Sequence, residues 1–352
     1  METEIWNFIK IWIVAIASAS YAYSISRIFH IKKPIFRLFF ILPIIYLFTI
    51  LPFSLSSFHL GGPTFFYLVW LSNFKLILYS FHLGPLSSLP NTSLPLFISV
   101  ALFPIKVNSK FTHNRSNPNK SLVLFGVKLL AFAVVIKIYD FRNDLPKSLL
   151  LVNYCCHLYL GVEVTLGITA ALVRAVSGLG LDPQFDEPYL ATSLQDFWGR
   201  RWNLMVSDIL RLSAYDPIRR VALPLVGKKW AVAIGMMATF TVSGLMHELI
   251  YFYFTRVMPT WEVTWFFVLH GVCTALEVVV KEVVVQRFRL HRLISGPLTL
   301  GFIAVTAWWL FLPQILRSGY DVKVINEYPV MASFVKEKVL NFFTYVDKFL
   351  VV

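Results

Sequence analysis

Apolar residues in this chain fall into long runs instead of the alternating or one-sided patterns of a soluble fold. A helix needs roughly 20 mostly apolar residues to cross about 30 Å of hydrocarbon, and about eight runs approach that length. They lie near residues 6–26, 38–53, 62–80, 121–139, 148–173, 230–255, 261–280 and 293–315. The pattern predicts an all-α, polytopic membrane protein of about eight transmembrane helices.

Two apolar stretches need a separate interpretation. The segment 94–105 is too short to cross and is interrupted by Pro95 and Pro104, so we expect it to be re-entrant or interfacial. The first run follows acidic residues and shows no small-residue cleavage site, which favours a retained span over a signal peptide.

Composition agrees with a chain that lies mostly in the bilayer. Hydrophobic residues make up 57% and charged residues 14%, whereas an ordinary soluble domain is about 25% charged. We find no internal repeat and no soluble domain. The simplest description is a single membrane-embedded domain over residues 1–352, with one long polar connection at 177–229.

Basic residues are distributed unevenly between the predicted loops. With the amino terminus outside the cytosol, cytosolic loops hold 19 Lys and Arg and the opposite side holds 8. Positive charge accumulates on the cytosolic face of membrane proteins, so this asymmetry favours the orientation. The basic face could meet anionic lipid head groups or a polyanionic soluble substrate. Nucleic acid is excluded as a partner because the charges are dispersed among membrane loops.

The connection 177–229, which we expect to be cytosolic, contains the stretch SLQDFWGRRWN at 193–203. Ser193 and Asp196 have the spacing of a helix capping box. Apolar residues then recur at helical spacing, at Trp198, Trp202, Met205 and Ile209. The pattern predicts an amphipathic helix, which either lies flat in the interface or lines a cavity. In the second case Asn203 would offer a donor and an acceptor at a water-poor site.

Several spans carry polar side chains. His247 lies near the centre of the sixth span, with Ser243 one turn earlier, and an ionisable residue there is a functional candidate unless it only hydrogen-bonds a neighbouring helix. Glu248 projects about 100° away around the helix and cannot share its task directly. His270 and Glu277 in the next span are rivals, and His157 and Glu163 are weaker ones.

Sequence patterns exclude several chemistries. Tyr251 stands where a zinc-binding HExxH motif needs its second histidine, so no metal site is expected. The chain has no GxSxG elbow for a serine nucleophile and no Walker A or GxGxxG loop. The chemistry that remains is a histidine that acts as a base without forming a covalent enzyme intermediate.

The stretches SLQDFWGRRWN (193–203) and SGLMHE (243–248) resemble those of the membrane-bound O-acyltransferase superfamily. More narrowly, LSSFHLGGPTFFYLVWLSNFKLIL (55–78), EPYLATSLQDFWGRRWNLMVSDILR (187–211) and FFVLHGVCTALEVVVK (266–281) resemble the plant wax synthases. The resemblance implies a helical bundle with a buried reaction chamber in the endoplasmic reticulum membrane. It also implies transfer of a fatty acyl group from acyl-CoA, as co-substrate and without a further cofactor, to a long-chain alcohol.

Carried over to this chain, the family's invariant histidine falls on His247 and its Trp-Asn motif on Trp202 and Asn203. We expect His247 to take the alcohol proton and Asn203 to donate to the oxyanion or to orient the histidine. Where related sterol and diacylglycerol acyltransferases have Asp-Trp before Trp-Asn, this chain has Arg200 and Arg201.

Other residues are expected to contact the substrates. Coenzyme A would be held by Trp198, Arg200, Arg201, Trp202, Arg219, Arg220, Lys228 and Lys229, because Arg and Lys suit phosphate contacts. We expect Ser243, His270 and Glu277 to contact the acyl chain or the alcohol.

Two alternatives stay open at this point. The acceptor could be a sterol or diacylglycerol instead of a fatty alcohol, since acyltransferases for those acceptors are similar at the same motifs. A polytopic transporter would also carry polar groups in its spans, although the FWGRRWN helix and the lack of inverted repeats argue against it. Acyl-chain length is not predicted, because one methylene changes binding by only about 1–3 kcal/mol.

Overall fold

The computed structural model describes residues 1–28, 33–88, 93–107, 118–284 and 290–350, and in these ranges the protein consists of helices and their connecting loops, with one isolated β-bridge. The α-helices in these ranges are α1 (Glu2–Ile28), α2 (Pro34–Ile50), α3 (Phe58–Phe65), α4 (Asn73–Ser80), α5 (Leu94–Leu102), α6 (Pro118–Ile138), α7 (Lys147–Ser177), α8 (Leu194–Asp196), α9 (Leu204–Leu210), α10 (Asp216–Thr255), α11 (Glu262–Val284), α12 (Arg292–Thr306), α13 (Pro313–Arg317) and α14 (Tyr320–Leu350). The predicted all-α class is confirmed.

Seven helices among the described residues are long and apolar enough to cross a membrane, so the protein is a multi-pass membrane protein. They are Glu2–Ile25, Pro34–Ser54, Leu122–Phe141, Lys147–Ser177, Leu204–Thr255, Glu262–Lys281 and Arg292–Phe311. Each coincides with one of the eight predicted runs. The remaining run, 62–80, does not belong to this set.

The run 62–80 forms a buried helix. It lies in a helical stretch made of α3, a π-helical turn at Phe66–Ser72, and α4. The side chains of Leu68, Leu71, Ser72 and Lys75 are fully buried, which means that neighbouring helices surround the stretch. Its polar residues lower its hydropathy, and the surrounding protein accommodates them.

The short helix α5 packs against α1 and the π-helical turn. Its nine residues reach only about 14 Å, so it cannot cross the bilayer, as predicted. Along α1 the alanines Ala15, Ala19 and Ala22 are buried at spacings of four and three. Small residues at this spacing let two helix backbones approach closely, which accounts for the tight contact with α5.

Lys75 stabilises the end of α5 from inside the protein. Its Nζ donates to the carbonyl oxygens of Val100 at 2.8 Å and of Phe103 at 2.6 Å. The last carbonyls of a helix have no partner within the helix, and in a buried position other protein groups must satisfy them. The fully buried Lys75 amino group therefore compensates for a helix end that would otherwise be unsatisfied.

Helix α10 consists of two helices joined at Gly227, where φ is 78° and the backbone is not helical. The first part carries exposed apolar side chains such as Val221 and Leu225 beside Arg219 and Arg220. The second part is the span that contains His247. The predicted run 230–255 therefore corresponds to the second part of α10, and the first part, from Asp216, lies before it.

Glu327 attaches α14 to the start of α3. Its carboxylate accepts hydrogen bonds from the backbone amides of Phe58 and His59, from the Ser57 hydroxyl and from the His59 ring. The amide groups at the start of a helix carry partial positive charge, which favours a carboxylate. Burial alone would raise the pKa of Glu327, but these hydrogen bonds outweigh it and hold the pKa below its ordinary value of 4.5.

We expect Glu327→Gln to remove a pH-dependent part of the stability. A carboxyl whose pKa is lowered by folding stabilises the protein fully above its ordinary pKa, and this contribution is lost as the pH falls through the folded-state pKa. The unfolding temperature of the wild type in detergent should therefore fall more steeply between neutral pH and about pH 3 than that of the variant. Parallel curves for the two proteins would contradict this assignment.

Candidate functional site

His247 points into the helix bundle, where aromatic rings from three other segments surround it. Its ring centroid lies 4.4 Å from that of Phe267, 5.3 Å from Trp70 and 5.7 Å from Phe311. The side chain is nevertheless only partly buried. The imidazole is thus held between apolar walls and keeps some accessible surface, as a group meeting a substrate must.

One hydrogen bond determines the proton position on His247. Nδ1 lies 2.7 Å from the carbonyl oxygen of Ser243. A carbonyl oxygen only accepts, so Nδ1 carries the proton and donates it. In the neutral ring Nε2 is then the nitrogen with a free lone pair, which is the form that a general base requires. Ser243, expected on the substrate side, acts on His247 through its backbone.

The Glu248 side chain contacts the start of α11 instead of the site. It is 3% exposed, and its Oε1 accepts from the backbone amide of Thr264 at 3.2 Å, in the first turn of α11. A carboxylate at this position satisfies one of the free amides of a helix start. The adjacent His and Glu therefore have separate tasks, as their angular offset on the helix predicts.

The prediction of a continuous helix from Ser193 through Ile209 is wrong, because the helix is interrupted at its centre. The capping interaction at its start is confirmed, because Ser193 Oγ accepts from the Asp196 amide at 3.1 Å. After a π-helical turn at Phe197–Arg201, Trp202 is extended and Asn203 is left-handed, with φ 39°. Asn adopts this conformation more readily than most residues, which explains why the helix can break here.

The break makes Asn203 the N-cap residue of a new helix, α9. Its Oδ1 accepts from the Val206 amide at 3.4 Å and so caps α9. The described residues supply no hydrogen-bond partner for Nδ2 of the same side chain. The amide group of Asn203 therefore has its oxygen fixed by the backbone while its N–H donors remain free.

The two tryptophans of the motif lie in an aromatic cluster. Trp202 stacks on Phe197 at 5.3 Å and contacts Phe185 at 5.3 Å. Trp198 contacts Phe267 at 5.8 Å, and Phe267 contacts His247. One shared ring therefore connects the motif to the histidine, although the two are far apart in sequence.

Three π-helical turns carry rings of this site. Trp70 lies in Phe66–Ser72, Trp198 in Phe197–Arg201 and Phe311 in Ala307–Phe311. A π turn inserts one residue into a helix and rotates the side chains that follow, and such turns are frequent at functional sites. No sequence signal indicated Trp70 or Phe311, because their positions depend on these insertions.

His270 has both ring nitrogens engaged. Trp198 Nε1 donates to Nδ1 at 3.1 Å, and Nε2 lies 2.9 Å from Thr306 Oγ1. The residue is 0% exposed. These contacts leave His270 no free nitrogen for a substrate, in contrast to His247.

Glu277 holds the start of α8. Its Oε2 accepts from the Leu194 amide at 2.8 Å, while its other oxygen pairs with Lys281. Lys281 also donates to Ser193 Oγ at 3.0 Å. The sequence reasoning missed Lys281, although its spacing of four residues from Glu277 on a helix is a recognisable signal for an ion pair.

The basic residues expected to meet coenzyme A fall into two groups. Arg201 is engaged within the protein, with Nε 2.8 Å from Asp196 Oδ2 and Nη1 2.9 Å from the Asp186 carbonyl oxygen. Arg219 is partly buried. The exposed basic side chains are Arg200, Arg220, Lys228 and Lys229. A soluble phosphate can reach these four side chains because they are exposed.

The weaker candidates of the fifth span belong to other contacts. His157 lies between Tyr139 Oη at 3.0 Å and Tyr328 Oη at 2.8 Å. Glu163 forms an ion pair with Lys128 between α7 and α6. Neither side chain contacts His247 or the motif in the described structure.

Comparison with known proteins identifies the family to which this chain is related. The model of the membrane bound O-acyl transferase family matches residues 181–269, which include the motif and His247. The chain is 54% identical over 348 residues to a long-chain-alcohol O-fatty-acyltransferase of Simmondsia chinensis, covering 97% of this chain and 98% of that protein.

Two relatives from Arabidopsis thaliana have similar coverage. Probable long-chain-alcohol O-fatty-acyltransferase 3 is 46% identical, over 97% of this chain and 98% of the relative. Acyl-CoA--sterol O-acyltransferase 1 is 41% identical, over 94% and 96%. With identity this high over nearly the full length of each protein, the chain belongs to the membrane bound O-acyl transferase family.

Proposed function

We propose that this protein transfers a fatty acyl group from acyl-CoA to the hydroxyl of a long-chain alcohol, forming a wax ester and free coenzyme A. The observation that carries the proposal is the Nδ1 hydrogen bond of His247, which leaves Nε2 as a basic nitrogen inside the bundle. The relatives named long-chain-alcohol O-fatty-acyltransferase support the choice of acceptor.

In the proposed reaction His247 is the general base. Nε2 takes the hydroxyl proton while the alcohol oxygen attacks the thioester carbonyl carbon. The new C–O bond forms, the C–S bond then breaks, and the coenzyme A thiolate leaves. The proton on His247 is available to the thiolate, which returns the ring to its neutral form. The balance requires no cofactor beyond acyl-CoA itself.

Asn203 stabilises the charge that develops on the carbonyl oxygen. Its Nδ2 has donors that the protein does not use, while Oδ1 is fixed at the start of α9. A donor that is already oriented before the reaction lowers the barrier, because it pays no reorganisation cost in the transition state. We assign Asn203 this role and His247 the proton transfer.

The site suits reactants that come from different phases. The alcohol and the acyl chain are soluble in lipid, whereas the nucleotide part of coenzyme A is soluble in water. We infer that Arg200, Arg220, Lys228 and Lys229 attract its phosphates on the cytosolic side of the endoplasmic reticulum membrane. Apolar walls around His247 exclude bulk water and protect the thioester from hydrolysis.

A sterol acceptor is the second candidate, because one relative is named an acyl-CoA sterol acyltransferase. Membranes containing the protein should esterify a fatty alcohol in preference to a sterol or diacylglycerol when supplied with labelled palmitoyl-CoA or acetyl-CoA. Thin-layer separation of the labelled products measures this preference. Faster sterol esterification would favour the second candidate. Absence of ester with every acceptor would favour a transporter.

A further inference from the structure

His270 is buried beside the site and connects three segments of the protein through a directed chain of hydrogen bonds. The indole N–H of Trp198 can only donate, so His270 Nδ1 accepts. Nε2 then carries the ring proton and donates to Thr306 Oγ1, whose own hydrogen goes to the Phe302 carbonyl oxygen at 2.7 Å. Each donor in the chain therefore has an acceptor, and the Thr306 hydroxyl also lies 3.1 Å from the Ile303 carbonyl oxygen. The motif segment is thereby tied to α11 and α12.

Trp198 is held at both of its polar ends. Its indole nitrogen is bound by His270, and its backbone carbonyl oxygen accepts from Ser207 Oγ at 3.2 Å. Ser207 lies on α9, the helix that Asn203 caps. The position of the Trp198 backbone is therefore coupled to the helix on which the Asn203 amide depends.

The face of Trp198 reaches the base through one ring. Phe267 contacts Trp198 at 5.8 Å and His247 at 4.4 Å. His270 and Phe267 lie on the same helix, three residues apart, so α11 contributes both the group that fixes Trp198 and the ring that supports His247. A shift of Trp198 would change the relative placement of His247 and Asn203.

We propose that His270 is a positioning residue, which sets the distance between His247 and Asn203 by fixing the Trp198 indole. The inference rests on the proposed acyl transfer and deepens it. His270 does not exchange protons with the substrate, since both of its nitrogens are occupied. Its contribution is to hold Trp198 where the π-helical turn presents the motif to α11.

Two substitutions separate the two hydrogen bonds of His270. In His270→Asn the amide oxygen falls near the Nδ1 position and still accepts from Trp198. In His270→Gln the amide falls near the Nε2 position and retains only the contact with Thr306. We expect the Asn variant to keep kcat within a few-fold and the Gln variant to lose at least about ten-fold, since it leaves a buried N–H unpaired. KM for acyl-CoA should change little in either.

Trp198→Phe tests the same contact from the other side. It removes the donor and keeps a ring, so it should reproduce the kcat loss of His270→Gln. The double variant should be no worse than either single one, because both break one interaction. Thr274→Val, which removes a buried hydroxyl bonded to the His270 carbonyl oxygen, is the matched control and should leave kcat near the wild-type value.

Failure of this inference and failure of the proposed function give different results. Equal kcat losses in the Asn and Gln variants, or additive losses in the double variant, would overturn the positioning role while ester is still formed by the wild type. The proposed function fails only if the wild type itself forms no ester. Unfolding temperatures in detergent identify a variant that is merely misfolded, and Trp198→Phe then decides the question.

Discussion

His247→Ala is expected to reduce ester formation by about two to four orders of magnitude, the usual contribution of a general base. His247→Asn should be equally inactive. Its amide nitrogen falls near the Nδ1 position and still donates to the Ser243 carbonyl oxygen, but it offers no basic nitrogen in place of Nε2. Labelled ester produced by membranes, divided by protein level from an immunoblot, measures the loss.

The Asn variant separates catalysis from structure at this position. If His247 only held its own helix turn through Ser243, His247→Asn would retain most of the activity. Glu248→Gln is a matched neighbour, because its amide oxygen still accepts from the Thr264 amide at the start of α11. We expect near-normal activity there. Substantial activity in His247→Ala together with its loss in His270→Ala would transfer the role of base to His270.

The membrane architecture could be predicted because hydrocarbon imposes a simple length requirement. Seven helices meet it at predicted positions. The exception, 62–80, is instructive. Its helical stretch contains Asn73 and Lys75, and whether such polar residues face lipid or protein depends on packing that the sequence does not specify. Lys75 satisfies the carbonyl groups of Val100 and Phe103 at the end of α5, which lie more than twenty residues further along the chain.

The sequence indicated single candidate residues for the site but not how they are arranged. His247 stood out because an imidazole is rare in an apolar span. The helix break at Asn203 was missed, because apolar residues continue at helical spacing from Trp198 to Ile209 and conceal the N-cap preference of a single Asn. Trp70 and Phe311 were missed for a similar reason. Their rings reach His247 through π-helical turns, which depend on the tertiary packing of each helix.

Intramembrane polarity alone does not distinguish a base from a structural group. His157, His247 and His270 all lie in apolar runs, and each resembles the others in sequence. The structure separates them by their hydrogen bonds. His157 and His270 have both nitrogens engaged, whereas His247 has a single bond that fixes Nδ1 as the donor. A free lone pair, more than burial, therefore identifies the candidate base.

Asn203→Asp is expected to lower kcat by about two to three orders of magnitude, the typical effect of losing an oxyanion donor. The substitution keeps the shape of the side chain. A carboxylate is also a favoured N-cap and is stabilised by the partial positive charge at the start of α9, so folding should be preserved. The substitution replaces the Nδ2 donor with a carboxylate oxygen. This oxygen accepts hydrogen bonds, and its negative charge repels the developing oxyanion.

Asn203→Gly provides the complementary variant. Glycine adopts the left-handed conformation at φ 39° without strain, but it removes the cap and the donor together. If Asn203 has only a structural role, the Asn203→Asp variant should be active. The Asn203→Gly variant should then lose activity in proportion to its lower unfolding temperature. If Asn203 donates to the oxyanion, kcat should fall in both variants. The Asp variant should then be at least as inactive as the Gly variant, although it is the more stable protein. Activity of the Asp variant near the wild-type level would remove Asn203 from the reaction and leave the oxyanion to another donor.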